Sequence, residues 1–269
     1  MVGPKNVVGS YMEILPGVFD KVPDEVYHGS TGYSRTNICN VADVSISYML
    51  MKMNHQEESD AMTQGSMTHD LILFPEQFKE KYLVGPTVSR STKKWKEFKK
   101  EYPDKTVVTS SMSDKVFQMR DALYKDPSIR SILENKNSMK EVSIWYETEG
   151  GILLKCRPDI ILDGVIFDLK TSIAPHKEAM RYSAFKYGYD VQSVMYPDLC
   201  AKIGMTITDF IFLVVGSNPP HLTARYSFGE ELRESGWDKY NRGVSEIYRY
   251  EKTNDKWDGL PYGREVVTL

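Results

Sequence analysis

The stretch LKCRPDIILDGVIFDLKT, positions 154–171, decides the fold. Asp163-Gly164 is the preferred dipeptide of a two-residue type I′ turn, whose central positions both need positive φ. That turn sets Leu162 opposite Val165. Pairing then steps outward, placing Asp159 opposite Asp168 and Arg157 opposite Lys170. Side chains alternate along a strand, so Asp159, Asp168 and Lys170 are expected on one face. Ile160, Leu162, Val165, Phe167 and Leu169 take the other face, which reads as core. Two carboxylates directly across a strand pair have Cβ atoms roughly 4.5–5.5 Å apart and repel. Something positive must sit between them. A surface hairpin with an Asp–Lys cross-strand pair is one answer. A divalent cation is the other, and hard oxygen ligands suit Mg²⁺, with Mn²⁺ able to substitute. Pro158 favours the second answer, because proline inside a strand marks an edge or a bulge.

Outward from the hairpin the period changes. Residues 140–148 alternate and are rich in β-branched and aromatic side chains, so they read as a strand; 152–162 and 165–171 are two more. Helices are expected over 176–186 and 188–203, strands over 207–216 and 221–228, and a long helix over 230–252. The first half is helical. Ser34 caps a helix to about residue 53 with Ile38, Val41, Ser45 and Met49 on one face. Ser59 or Asp60 starts another, to about residue 73, ended by Pro75. Further helices are expected at 91–101, 110–125 and 127–136. Residues 1–32 read as an irregular N-terminal segment and 255–269 as a C-terminal tail. The whole is one domain, 1–269: α/β, a central mixed β-sheet flanked by helices, with a helical N-terminal layer.

The chain has 269 residues, 41% hydrophobic, 26% charged, with net charge −3, which excludes a disordered or low-complexity protein. No apolar run approaches the roughly 18 residues of a membrane span. The first twenty residues carry no secretion pattern, so a cytoplasmic location is expected. Cys39, Cys156 and Cys200 are too few and too scattered for a disulfide framework or a four-cysteine metal site, and read as free thiols. No phosphate-cradling glycine motif is present, which excludes a nucleotide-driven motor. Residues 90–105, RSTKKWKEFKKEYPDK, hold seven basic and three acidic residues. They form either a solvated lysine face or a helix that contacts phosphates.

Pro158-Asp159 followed by Asp168-Leu169-Lys170 resembles the PD-(D/E)xK nuclease signature. The wider pattern is similar to the C-terminal nuclease domain of exonuclease VIII, the RecE family of phage and prophage recombination. Tyr33-Ser34-Arg35, Gly65-Ser66-Met67-Thr68-His69 with 71–75, Cys156-Arg157-Pro158-Asp159, Asp168-Leu169-Lys170-Thr171, Gln192 with Tyr196, and Phe212-Leu213-Val214 occur in the family's order, across residues 33–250.

The resemblance implies that Asp159, Asp168, His69 and the backbone carbonyl of Leu169 hold metal, with Glu141 helping to hold a second ion. Lys170 would orient or activate the attacking water and balance charge near the scissile phosphate. Gln192 and Tyr196, four apart on one helical face, would contact DNA phosphate or order the lysine; Pro197 is expected to kink this helix. Arg157 would face the site and, with Arg35, contact DNA, Arg35 at a 5′-phosphate. The implied activity is Mg²⁺-dependent 5′→3′ digestion of linear duplex DNA, leaving 3′ single strands. The implied partners are duplex ends, a RecT-like single-strand annealing protein and further copies in a toroidal homo-oligomer. A monomeric endonuclease or repair nuclease on the same fold, and a DNA-binding module with a degenerate site, are the rival readings.

Overall fold

The computed structural model describes residues 15–54 and 59–260, together with two short strands before them. The N-terminal part runs β1 (Val7–Val8), β2 (Tyr11–Met12), β3 (Gly17–Phe19), α1 (Asp24–Gly29), α2 (Arg35–Asp43), α3 (Ile46–Asn54), α4 (Asp60–Leu73) and α5 (Pro75–Lys81). Then come β4 (Tyr82–Val84), α6 (Lys93–Glu101), β5 (Thr106–Val108), α7 (Ser110–Lys125) and α8 (Pro127–Leu133). The strand-rich middle holds β6 (Met139–Lys140), β7 (Ser143–Glu147), β8 (Leu153–Cys156), β9 (Ile160–Leu162) and β10 (Val165–Ser172). The chain continues through α9 (Lys177–Tyr187), α10 (Tyr189–Lys202), β11 (Asp209–Gly216), β12 (Thr223–Tyr226) and α11 (Glu230–Lys252).

The central sheet is mixed, in the order β12-β11-β10-β9-β6, with β10 and β11 parallel and the other pairs antiparallel. Each face is covered by helices. Ile161, Ile166, Phe210, Phe212 and Val214 pack against α2, α10 and α11, whereas Ile160, Leu162, Phe167, Leu169, Leu213 and Val215 pack against α4, α7 and α8. Strand alternation therefore feeds two cores, and the apolar face expected of the hairpin is buried. The turn is as expected too: Asp163 and Gly164 have φ of 50° and 76°, and Leu162 pairs with Val165.

The register stops early, however. Antiparallel pairing ends at Phe167↔Ile160, so Asp159 is not a ladder partner of Asp168 and Arg157 is not one of Lys170. The strand expected over 152–162 is two strands in two sheets. β8 pairs with β7 in a smaller sheet ordered β3-β7-β8, and β9 stays in the central sheet. The strand expected over 140–148 divides likewise into β6 and β7. Both breaks fall together: Glu141, with φ of 48°, donates its N–H to Asp159 O at 3.0 Å. Pro158, which has no N–H to give a ladder, bends one strand, and Glu141 in left-handed backbone bends its neighbour.

Three further expectations change. The helix expected from Ser34 to residue 53 is broken at Val44-Ser45, where Ser45 Oγ accepts from Tyr48 N and starts α3. Pro75 does not only end α4; it opens α5, where its missing N–H costs nothing. Residues 17–33 are not irregular. β3 adds an edge to β7, and α1 lays Tyr27 on Trp145 and on Arg157, whose guanidinium lies 4.1 Å from the Tyr27 ring centre. The tail is fastened as far as residue 260, with Asp258 bonded to Ser47 through backbone and side chain; the rest of it lies outside the described residues. All three cysteines are free, with Cys156 and Cys200 buried.

Lys155 secures the N-terminal segment. Its buried ammonium donates to Tyr27 O (2.9 Å), Ser30 O (2.8 Å) and Ser30 Oγ (3.2 Å). Burial, with repulsion from Arg157, pushes its pKa down to about 8. The folded state sheds this proton before the unfolded chain does, so the lysine's contribution to stability rises with pH from about 8 to the ordinary value near 10.4. The stability of the wild type relative to Lys155→Met should rise by up to about 1 kcal/mol per pH unit in that window. Denaturant titrations at several pH values read this directly, and a pH-independent difference would contradict it.

Candidate active site

The bend between the two sheets is where the chemistry collects. At Phe167↔Ile160 the hairpin is in the narrow, hydrogen-bonded phase set by its two-residue turn. The next such pair would be Leu169 with Pro158, which has no N–H for the Leu169 carbonyl. The Leu169 N–H goes instead to the Asp159 side chain, donating to Oδ2 at 2.7 Å. Asp159 thus folds back over β10 beside Asp168, although the ladder does not put it there.

Two helices complete the site from opposite sides of the sheet. From α4, His69 sits between two carboxylates, with Nε2 2.9 Å from Asp159 Oδ1 and Nδ1 3.2 Å from Glu141 Oε1. From α10, Gln192 Nε2 donates to Asp168 Oδ2. Lys170 forms an ion pair with Asp168 Oδ1, and its ammonium lies 5.0 Å from the Tyr189 ring centre. His69, Glu141, Asp159, Asp168, Leu169, Lys170 and Gln192 therefore meet in one place. Tyr189 is the member that sequence reasoning missed; its spacing of three residues before Gln192, one helical turn, was the available signal.

Two expectations fail. Arg157 does not reach Asp159, Asp168 or Lys170; it touches only the outer edge of the site, with Nη1 3.8 Å from Glu141 Oε2. It donates to Ser143 Oγ (2.8 Å), Val22 O (2.9 Å) and Asp24 Oδ1 (2.8 Å), so it anchors the N-terminal segment behind Glu141. The strand break at Pro158 turns it away. Tyr196 packs its ring edge-on to Phe210 within the core, and among the described residues it makes no hydrogen bond to the carboxylates or to Lys170. Pro197 costs α10 one backbone hydrogen bond, yet the helix continues to Lys202. Arg35 starts α2 and donates through Nη1 to Tyr187 O, while its buried Nε has no partner among the described residues.

The electrostatics are those of crowded buried charge. Burial, then the neighbouring Asp159 charge, pushes the Asp168 carboxyl up to about 6 against the pull of Lys170. Burial also acts on Asp159, but His69, Lys170 and the Leu169 N–H outweigh it and hold that carboxyl below its ordinary range. Burial disfavours the charged forms of His69 and Lys170. The carboxylates overcome it and raise both, His69 well above its usual value. The site is a set of carboxylates neutralised by an imidazolium and an ammonium.

Among the described residues no three His, Cys, Asp or Glu side chains are already splayed into a metal cage. The donor chemistry nonetheless suits a hard divalent cation. Gln192 Oε1 is buried without a hydrogen-bond partner among the described residues, and Asp168 Oδ1 is buried with only the Lys170 ammonium against it. Asp159 Oδ1 and the His69 ring nitrogen adjoin them, and a carboxylate set is the usual holder of Mg²⁺ or Mn²⁺.

A mixed sheet between helical layers, bent at a Pro-Asp and carrying Asp-x-Lys on the next strand, defines a PD-(D/E)xK fold. The chain belongs to the family described as "PDDEXK-like domain of unknown function (DUF3799)", whose model matches residues 39–258. In structure it is similar to a "Putative exonuclease" from Eubacterium rectale, at 15% identity and a TM-score of 0.59 over 88% of this chain and 90% of that one. A second crystal structure, of SSO0001, matches at 17% identity over 77% of this chain and 84% of that one, with a TM-score of 0.31 too low to carry an argument. Comparison with curated proteins finds no match. Among the described residues no helix is long and apolar enough to cross a membrane.

Proposed function

We propose that this protein is a Mg²⁺-dependent deoxyribonuclease that degrades linear duplex DNA from its ends. The observation that carries the reading is the convergence of Asp159, Asp168 and Lys170 with His69 and Gln192 at the bend. Such a set serves phosphodiester hydrolysis because two negative reactants, phosphate and hydroxide, must be brought together and a third negative charge stabilised. Asp159, Asp168 and the Leu169 carbonyl would hold the ion, joined by His69 once the proton on its Nε2 is displaced on binding, with Glu141 behind His69. When bound, it supplies Lewis-acid stabilisation of the attacking and leaving oxygens.

The chain's own residues do the rest. Leu169 N–H fixes the Asp159 carboxylate, and Gln192 fixes Asp168, so neither has to be ordered on binding. Lys170 has its pKa raised by Asp168 and Asp159, so it is positively charged at neutral pH. It therefore acts through charge and hydrogen bonding, holding the water and offsetting the phosphate, rather than as a base. Glu141 fixes the ring of His69 through Nδ1. Arg35, next to Gly188 and Tyr187 at the rim, offers its guanidinium to a terminal 5′-phosphate.

The same reading extends to polarity and partners by the likeness to RecE-type nucleases: 5′→3′ digestion, a toroidal homo-oligomer around the duplex and delivery of the 3′ strand to a RecT-like annealing protein in the cytoplasm. The test is to incubate the protein with 5′-phosphorylated linear duplex and with closed circular duplex, with Mg²⁺ or EDTA, beside Lys170→Ala. The linear form alone should be degraded, with Mg²⁺ only, and the variant should lose at least about 10³-fold in rate. Equal cutting of the circle would replace the exonuclease with the endonuclease reading. Degradation of neither would overturn both.

A further inference from the structure

The lysine-rich segment is not absorbed by the bend. Trp95 is the buried anchor of α6, lying over Gly85 so closely that a Cβ there would be 2.6 Å from its ring and 2.9 Å from Val107. Phe98 and Tyr102 stack at 4.9 Å between ring centres on the flank next to Trp95. At the helical period, Lys93, Lys96 and Lys100 fall on the opposite side, where all three are exposed. With Ser91 and Glu97 they line a shallow groove of about 430 Å³. Glu97 reaches Lys93 at 3.5 Å, and no carboxylate among the described residues is within 4.0 Å of Lys94, Lys96, Lys99 or Lys100. What sets the segment apart is density: Lys93, Lys94, Lys96, Lys99 and Lys100 stand within eight residues of one helix.

The position of this face matters as much as its charge. α6 lies in the chain between β4 and β5, which pair in parallel; β4 packs on α5, and its Tyr82 hydroxyl donates to Asp70 of α4 at 2.7 Å. The approach to α6 is tied to the start of α4 by Arg90, 2.6 Å from Asp60. Asp60 and His69 lie on that same helix, about 14 Å apart at 1.5 Å per residue. That is roughly four base-pair steps along a duplex. Lys93 to Lys100 makes a row of positive charge about 10 Å long, which suits a linear polyanion better than a single carboxylate.

We infer that the Lys93–Lys96–Lys100 face of α6 is a second phosphate-backbone contact, gripping duplex DNA a few base pairs from the site at the bend. This rests on the deoxyribonuclease reading above. It adds a place where the duplex is held without being cut.

The test is binding of a short, blunt 5′-phosphorylated duplex to the full chain in EDTA, by fluorescence anisotropy, from 50 to 200 mM salt. The variant is Lys93→Gln/Lys96→Gln/Lys100→Gln, whose helix propensity is nearly unchanged; circular dichroism checks its fold. Its control is Lys136→Gln/Lys202→Gln/Lys252→Gln, the same charge change at exposed positions elsewhere. The first variant should bind on the order of tenfold more weakly or worse, with a slope of log K against log salt shallower by about 3. The control should match wild type. An unchanged slope, or an equal change in the control, overturns the inference. Hydrolysis separates the two failures. DNA that is digested without dependence on these lysines sinks the second contact alone. DNA that is bound through them but never cut in Mg²⁺ sinks the deoxyribonuclease reading alone.

Discussion

Asp168→Asn is expected to lower the rate of duplex hydrolysis by at least about 10³-fold, ~4 kcal/mol of transition-state stabilisation, while leaving the protein folded. The two effects separate because the same carboxylate is costly to the fold and needed for the chemistry. Burial and Asp159 push it up to about 6. A group whose folded pKa is raised holds its proton longer in the folded state, so its contribution to stability falls as pH rises from about 4 to about 6. Asparagine has the same shape, keeps an oxygen for Gln192 and carries no charge. The variant should therefore gain on the wild type in Tm as pH rises through that window, and retain Asp159 as the counter-charge to Lys170. What it loses is the buried anionic oxygen that pairs with the Lys170 ammonium. Single-turnover digestion beside a melting series at pH 4–7 measures both. Wild-type turnover by the variant would remove this carboxylate from the chemistry.

Gly236→Ala is expected to cost about 3 kcal/mol, the upper end for forcing atoms into a packed interior, and to lower Tm by roughly 6–12 °C for a chain of this size. The cause is steric. α11 crosses α10 with Gly236 directly against the backbone, where a Cβ would lie 2.3 Å from Asp190 O and 2.7 Å from its carbon. Neither atom belongs to a flexible side chain, so the helices must separate. A second close approach, where a Cβ on Gly243 would lie 2.8 Å from Ile38 O, would be levered with it. Asp190 lies two residues before Gln192, so the displacement reaches the hydrogen bond that orients Asp168. Activity measured well below the lowered Tm should fall as well. Lys239→Ala, on the same helix, removes a mostly buried ammonium 3.3 Å from the buried Asp190 and so acts through lost charge pairing rather than through helix separation. A Gly236→Ala protein that melts with wild type would mean the helices can move apart freely.

The sequence carried the two-residue turn, the inner register of the hairpin and the two-faced alternation of 165–171, because each follows from local rules that tertiary packing did not oppose. It did not carry the bend. Residues 140–148 and 152–162 alternate straight through their breaks, and Glu141 gives no hint of left-handed backbone, since glutamate has no special preference for it. Only Pro158 signalled a departure, and that signal does not say that two neighbouring strands leave the sheet together. The misplaced Arg157 follows from the same gap: an unbroken strand would have aimed it at the site. The break at Val44-Ser45 was hidden because Ser45 is buried on the apolar stripe and keeps the helical period intact. His69 and Gln192 were visible through the resemblance rather than through spacing. Nothing local says that helices on opposite faces of a sheet will meet at one notch.

The most direct measurement is hydrolysis of uniformly labelled linear duplex by the full-length protein across a Mg²⁺ titration begun from EDTA. No labelled nucleotide should be released without the ion; release should rise and saturate as Mg²⁺ is added, and Mn²⁺ should restore part of it. Hydrolysis undiminished in EDTA, or none at any ion concentration by a folded protein that binds the duplex, would contradict the deoxyribonuclease reading.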